Sequence, residues 1–247
     1  MNSIASKFSA WIMESTESRS LKKFRIIFAM IWLCYDVLSL AFGEMDHFVW
    51  SLQNPAHGEL AVCQGLLIIT EIGLLLGWRA RTFAFLCFGL RYWETTVVPL
   101  NDFYYYCSTA LILSVCGIAN DDGPEVAKWP KDVLILQTVW IYFATALLKL
   151  NSLWLSGGDL DVRFRYQRLM TSQSLNAALA IATVVIEFTI ALLLFSLWKN
   201  PEKGGRRLRQ FLLLLVIGVH VFAAFALNVW FFGASMIAQV FVIGWSI

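Results

Sequence analysis

Leu175 to Trp198 reads LNAALAIATVVIEFTIALLLFSLW, and Glu187 is the single ionisable side chain within it. A helix needs about 20 mostly apolar residues to cross a hydrocarbon core of roughly 30 Å. A run that is apolar on every face has to be buried on every face, and a bilayer supplies that burial directly. The stretch therefore predicts a transmembrane helix, and the pattern recurs along the chain. Cut where charge, Pro or Gly interrupts the apolar runs, the sequence gives spans near 24–43, 59–77, 82–99, 102–119, 132–150, 175–198, 209–227 and 229–246. Pro99, Leu100 and Asn101 alone separate the third span from the fourth, and Asn228 alone separates the last two, so both pairs are expected to form tight hairpins. The expected fold class is all-α: a polytopic integral membrane helical bundle of about eight transmembrane helices. A cytoplasmic or interfacial segment at 1–23 precedes a single transmembrane domain at 24–247.

Composition agrees with lipid as the solvent. The 247 residues are 59% hydrophobic and 15% charged, too few charges to coat a soluble domain of this size. Net charge is only +2, which argues against nucleic acid as a partner. Cysteines at 34, 63, 87, 107 and 116 lie in apolar stretches with no C-x-x-C pair, as expected of helix-packing residues. Glu44, Asp46, His47, His57 and Glu59 could offer ligands, but no H-E-x-x-H spacing is present and no metal is expected. The mixed-charge leader with Glu14, Glu17, Arg19, Lys22 and Lys23 suits an uncleaved signal anchor. Phe8, Trp11, Ile12 and Ser15 at helical spacing suggest an amphipathic helix lying in the interface.

Orientation follows from Lys and Arg, which concentrate in cytoplasmic loops. With the N-terminus inside, that side collects Lys7, Arg19, Lys22, Lys23, Arg79, Arg81, Lys128, Lys131, Lys199, Lys203, Arg206, Arg207 and Arg209. The opposite side has only Arg163, Arg165 and Arg168. Both termini are therefore expected in the cytoplasm of a cell with one inner membrane, and residues 44–58 and 151–174 form the two longer outer loops.

Ionisable side chains at membrane depth are costly and usually face the protein interior, which makes them the default functional residues. Arg25, Trp32 and Asp36 share a face of the first span; Gln64 and Glu71 lie in the second, Arg91 and Glu94 in the third, Asn176, Thr183 and Glu187 in the sixth, His220 in the seventh. In the fifth, Thr138, Tyr142, Thr145 and Lys149 fall at steps of four, three and four and form one polar stripe. Its end, Lys149, is placed at the non-cytoplasmic mouth beside Trp154. Partial desolvation disfavours an ammonium, which lets a lysine act as base or nucleophile near neutral pH. The competing reading is a lysine snorkelling to the interface. For Arg91 and Glu94 it is a structural ion pair, and for Glu71, Glu187 and His220 interhelical hydrogen bonds.

Several stretches together resemble the horizontally transferred transmembrane (HTTM) domain, the membrane part of the vitamin K-dependent gamma-carboxylases and of shorter bacterial relatives. They are Phe24-Arg25-Ile26 with Asp36; Leu76-Gly77-Trp78-Arg79-Ala80-Arg81, similar to a G-[YW]-R-[TA]-R turn; Leu100-Asn101-Asp102-Phe103-Tyr104; and Gln137 to Gly157, QTVWIYFATALLKLNSLWLSG. Glu187 and His220 also fall where that domain carries Glu and His. The resemblance runs from about residue 20 to the end. It implies that Lys149 is the base that deprotonates a hydroquinone, with Tyr142, Glu187 and His220 as further catalytic residues. Arg91, Glu94, Asn101 and Trp154 would then bind the cofactor, an isoprenoid hydroquinone of the menaquinol type. Phe103 stands where the carboxylases carry His, which tells against glutamate carboxylation. The chain stops after the eighth span, so a separate soluble or membrane partner, and a secreted peptide as possible substrate, are expected. The outward-facing cavity would be lined by Arg91, Glu94, Tyr142, Lys149, Glu187 and His220. The rival reading is a non-catalytic membrane subunit that binds quinone or lipid and scaffolds a larger complex.

Overall fold

The computed structural model of the chain describes residues 9–11, 14–42, 57–97, 101–115, 125–166, 171–203, 205–227 and 230–242. Along them run β1 (Ser15–Glu17), α1 (Ser18–Phe42), α2 (His57–Leu76), α3 (Ala80–Val97), α4 (Asn101–Val115), β2 (Glu125–Ala127), α5 (Trp129–Leu148), α6 (Ser152–Leu155), α7 (Gly158–Tyr166), α8 (Gln173–Lys199), α9 (Arg206–Leu227) and α10 (Trp230–Val242), with a 3-10 turn at Pro201–Lys203. The architecture is all-α apart from the two three-residue strands. A long helix stands at each place where an apolar run predicts one. Four of them, over Ser18–Ala41, Trp129–Leu148, Gln173–Lys199 and Arg206–Ala224, are long and apolar enough to cross a membrane. Val62–Leu76, Phe103–Val115 and Phe232–Val242 are shorter apolar helices, and α3 carries Arg81, Arg91 and Glu94 along its length.

Three boundaries differ from the sequence reading. The helix expected from residue 24 begins at Ser18, because Ser18 and Leu21 are already packed in the interior. The expected interfacial helix is not formed at its end: Ser15 lies in β1, paired antiparallel with Ala127 of β2, while residues 9–11 before it are helical. Phe8 and Ile12 of that expectation lie outside the described residues, as do Glu44, Asp46 and His47 of the first outer loop and Arg168 of the second. The fifth helix ends at Leu148 rather than 150, which leaves Lys149 in the turn that follows.

The chain divides into two compact units, residues 1–133 and 134–247. In the first, α1 packs on α2, α2 on α3 and α3 on α4. The buried positions of α1 are Ser18, Leu21, Phe24, Arg25, Phe28, Ala29, Trp32, Tyr35, Asp36 and Ser39, a helical face at steps of three and four. Its exposed positions include Ile26, Met30, Val37, Leu38 and Leu40. Polar groups inside and aliphatic groups outside invert the arrangement of a water-soluble helix. The β-ribbon holds the leader to the segment before α5, reinforced by Trp11 Nε1 donating to Asp132 at 2.8 Å and Lys128 Nζ donating to Glu14 at 2.7 Å.

The second unit repeats the inversion. Helix α8 buries Asn176, Thr183 and Glu187 and exposes Leu175, Ile181, Val185, Leu192 and Phe195. Apolar faces this continuous belong in a bilayer, and the chain is a membrane protein. Ala146, Trp154, Leu160, Phe164, Ala180 and Val184 form a core where α6 and α7 pack against α8. Residues 152–166, in the segment expected as the second outer loop, therefore form a folded cap rather than a bare connection. Gly157 makes the cap possible: its φ is +76°, and a Cβ there would lie 2.4 Å from the backbone nitrogen of Ala177. Gly157→Ala is expected to cost at least about 1–3 kcal/mol from the left-handed backbone alone, with the collision added. A thermal shift of the purified protein in detergent should fall by several degrees, and an unchanged midpoint would remove this account of the cap.

Candidate functional site

The polar stripe of α5 lies within the second unit and each member has a partner. Thr138 is buried, donates to the Leu134 carbonyl at 2.8 Å and accepts from Gln239 Nε2 of α10 at 2.8 Å. Tyr142, also buried, shares a hydrogen bond of 2.7 Å with His220 Nε2 of α9. Thr145 donates to the carbonyls of Ile141 and Tyr142 and lies within reach of the Glu187 carboxyl. Lys149, just past the helix end, donates to Glu187 Oε1 of α8 and has its ammonium 5.1 Å from the centre of the Trp154 ring.

Local sequence explains why Lys149 turns inward. Leu148 closes α5, and Asn151 bridges the break: its Nδ2 donates to the Leu148 carbonyl at 2.9 Å while its Oδ1 accepts from the Trp154 backbone N–H at 2.9 Å. That double contact caps one helix and starts the next. Trp154 is anchored by Nε1 donating to the Ala180 carbonyl at 3.2 Å, so its ring forms a fixed floor for the ammonium. The Lys149 side chain keeps 19% of its exposure and that of Glu187 8%, so the pair is shielded but still reachable.

Seven residues of α5 separate Lys149 from Tyr142, or about 10 Å of helix rise, so the two pairs sit at two depths along one helix. Two polar atoms here are buried without a hydrogen-bond partner, Glu187 Oε2 and His220 Nδ1. Gly233 of α10 backs the imidazole, where a Cβ would come within 3.3 Å of His220 Cβ.

Arg91 and Glu94 belong to the first unit and are paired there, Nη1 donating to Glu94 Oε2 at 2.7 Å. The sequence spacing predicts that pair. It does not predict its company: Arg91 Nη2 donates to Asp36 Oδ2 of α1 at 2.5 Å and lies 3.6 Å from Glu71 Oε1 of α2. Tyr106 of α4 donates its hydroxyl to the same Glu71 oxygen at 2.8 Å. The guanidinium carbon is 4.7 Å from the rings of Phe103 and Tyr106, 5.4 Å from Trp32 and 5.7 Å from Tyr35. Arg91, Asp36, Glu71 and Glu94 all have no exposure.

Of the residues expected to bind cofactor, Trp154 stands beside Lys149, Arg91 and Glu94 form the centre of the first unit, and the Asn101 side chain lies outside the described residues. Gln239 and Tyr106 are site residues that the sequence reading missed. Gln239 was readable as the one polar amide in the last apolar helix; Tyr106, one of three consecutive tyrosines, could be singled out only from the packing. No family model matches the chain, and neither a curated protein nor a solved structure is significantly similar to it.

A guanidinium that serves two carboxylates through separate nitrogens cannot be replaced by a point charge. Arg91→Leu should therefore cost about 3–5 kcal/mol by leaving buried carboxyls without their counter-charge. Arg91→Lys should recover only part of that. Monodisperse yield on size-exclusion chromatography in detergent reads both, and a wild-type yield for Arg91→Leu would show that the cluster does not hold the first unit together.

Proposed function

We propose that the chain is a membrane subunit of the HTTM and gamma-carboxylase-like kind, acting with a separate soluble or membrane partner in a quinol-linked reaction or in the maturation of a secreted peptide. One observation carries the reading: the lysine that the resemblance makes a base lies against a buried carboxylate and on an aromatic floor, and the second oxygen of that carboxylate, Glu187 Oε2, is buried without a partner. In its free-amine form Lys149 would accept a hydroxyl proton from an isoprenoid hydroquinone, and Glu187, its hydrogen-bond partner, would take that proton up from the ammonium. A hydroquinone supplies hydroxyl donors and acceptors that suit Glu187 Oε2 and His220 Nδ1, and its chemistry is two-electron oxidation to the quinone. Tyr142 fixes the His220 ring through Nε2, which leaves Nδ1 available to the ligand.

The proposed arrangement is eight crossings with both termini in the cytoplasm of an inner membrane and Lys149 on the non-cytoplasmic side. The basic asymmetry supports it, and the ribbon adds independent support. Pairing of residues 15–17 with 125–127 puts both on one side, so an even number of crossings separates them, a condition that four crossings by α1 to α4 would meet. A membrane-impermeant maleimide applied to intact cells should label Asp159→Cys in α7 and spare Glu202→Cys; the reverse pattern inverts the topology.

The second reading, a non-catalytic subunit that binds quinone or lipid and scaffolds a complex, draws on the same contact, because a satisfied Lys149–Glu187 pair is also a means of joining α5 to α8. Oxygen consumption separates the two. Purified protein given reduced menaquinone is expected to consume oxygen, and Lys149→Ala should lose that activity while still binding the quinol. Lys149→Arg should fail as well, since a guanidinium does not act as a base near neutral pH. Quinol binding without oxygen uptake in the wild type, or an active Lys149→Arg, would leave the scaffold.

A further inference from the structure

The centre of the first unit is out of electrical balance. One guanidinium, Arg91, faces three carboxyls, Asp36, Glu71 and Glu94, and none of the four has any exposure. Other titratable groups on the surrounding elements are Tyr35 on α1 and Tyr106 on α4, and the thiols of Cys63, Cys87 and Cys107, which donate to the Leu90 carbonyl, Thr70 Oγ1 and the Phe88 carbonyl. Thiols and phenols carry no charge near neutral pH. Three ionised carboxyls would thus leave two uncompensated negative charges in an apolar interior, where even one isolated charge is costly.

Geometry ranks the three. Asp36 and Glu94 each receive a short hydrogen bond from their own guanidinium nitrogen, at 2.5 and 2.7 Å, whereas Glu71 stands 3.6 Å away. Asp36 Oδ2 and Glu71 Oε1 converge on the same guanidinium nitrogen, Arg91 Nη2, and two carboxylates brought that close repel unless one of them carries a proton. A second observation comes from the unpartnered atoms. Glu71 Oε2, Asp36 Oδ1 and Glu94 Oε1 are buried acceptors without donors, and the Arg91 Nε–H is a buried donor without an acceptor, on a side chain whose other two nitrogens point into the cluster.

We propose that Asp36 and Glu71 form an intramembrane proton-binding site, in which a proton resides on Glu71 and is shared with Asp36 beside the fixed Arg91–Glu94 ion pair. Binding adds H⁺ to a carboxylate and release returns it. The Tyr106 hydroxyl, already bonded to Glu71 Oε1, is the neighbouring group positioned to pass it on. The site is independent of the Lys149 reading and would stand if that reading failed.

Infrared difference spectroscopy on the full chain in lipid nanodiscs tests it. The spectrum of the wild type minus Glu71→Gln at neutral pH should show the C=O stretch of a protonated carboxylic acid, and the band should shift in D₂O. Glu71→Gln replaces a neutral acid with a neutral isostere, so it should melt within a few degrees of the wild type, while Glu94→Gln should lose more. If Glu71→Gln does not fold, wild-type protein labelled with ¹³C-carboxyl glutamate decides, since the band must then move with that label and not with ¹³C-aspartate. No protonated band in the wild type, a band removed by Glu94→Gln or Asp36→Asn and kept in Glu71→Gln, or a shift with the aspartate label would overturn the proposal.

Discussion

Arg91 is the group around which the first unit is organised, because an arginine with no exposure has to take its counter-charges from the helices that surround it. Those charges come from three elements far apart in sequence: Asp36 on α1, Glu71 on α2 and Glu94 one turn along α3 itself. The rings of α1 and α4 close the remaining directions, with Trp32 and Tyr106 edge to face at 4.9 Å and Phe28 and Tyr106 at 5.2 Å. The charge is therefore both a cost and a register mark. Sliding α1 or α2 by one residue would carry a carboxyl to another face of its helix and leave the guanidinium with an apolar neighbour, which hydrocarbon around the helices cannot correct.

The same logic shapes the turn after α2. Gly77 has a φ of +77°, and a Cβ there would lie 2.9 Å from an Arg25 guanidinium nitrogen. Arg25 is itself buried on α1 and sits at the end of α2, where the partial negative charge of the helix terminus favours a cation. Two short stretches that suggested a family resemblance, the start of α1 and the Gly77 turn, are thus one contact in space. Their co-occurrence in the sequence has a physical reason that holds whatever the ancestry of the chain.

Much of this was legible beforehand because helix periodicity needs only local information. The positions of the long helices, the shared face of Arg25, Trp32 and Asp36, and the inward stripe from Thr138 to Lys149 all follow from spacing. What sequence left open was pairing between helices. Nothing in the order of residues says that Asp36 and Glu71 share Arg91, that Tyr142 meets His220, or that Gln239 reaches back to Thr138. Each of these joins residues dozens to about a hundred positions apart, and several alternative partners were equally polar. The ribbon was missed for a related reason: Ser15-Thr16-Glu17 has no strand pattern of its own and is held by Glu125–Ala127 across the chain. Helix ends were misjudged where packing or side-chain capping intervened, at Ser18 and at Asn151.

The two charged centres differ in what their burial permits. Arg91 and its carboxyls are fully enclosed, so the free energy of the cluster is tied to the fold, and changing its charge is first a change in stability. Lys149 and Glu187 retain 19% and 8% side-chain exposure, so that pair is less completely desolvated. Separating the second pair leaves a lysine that is less enclosed than any of the groups around Arg91. Chemistry that needs a lysine alternately paired and free therefore suits the end of α5, where the helix has stopped at Leu148 and the side chain is held by a turn. A lysine two helical turns earlier would share the enclosure of Tyr142, and the pair it formed would join helices without being exposed.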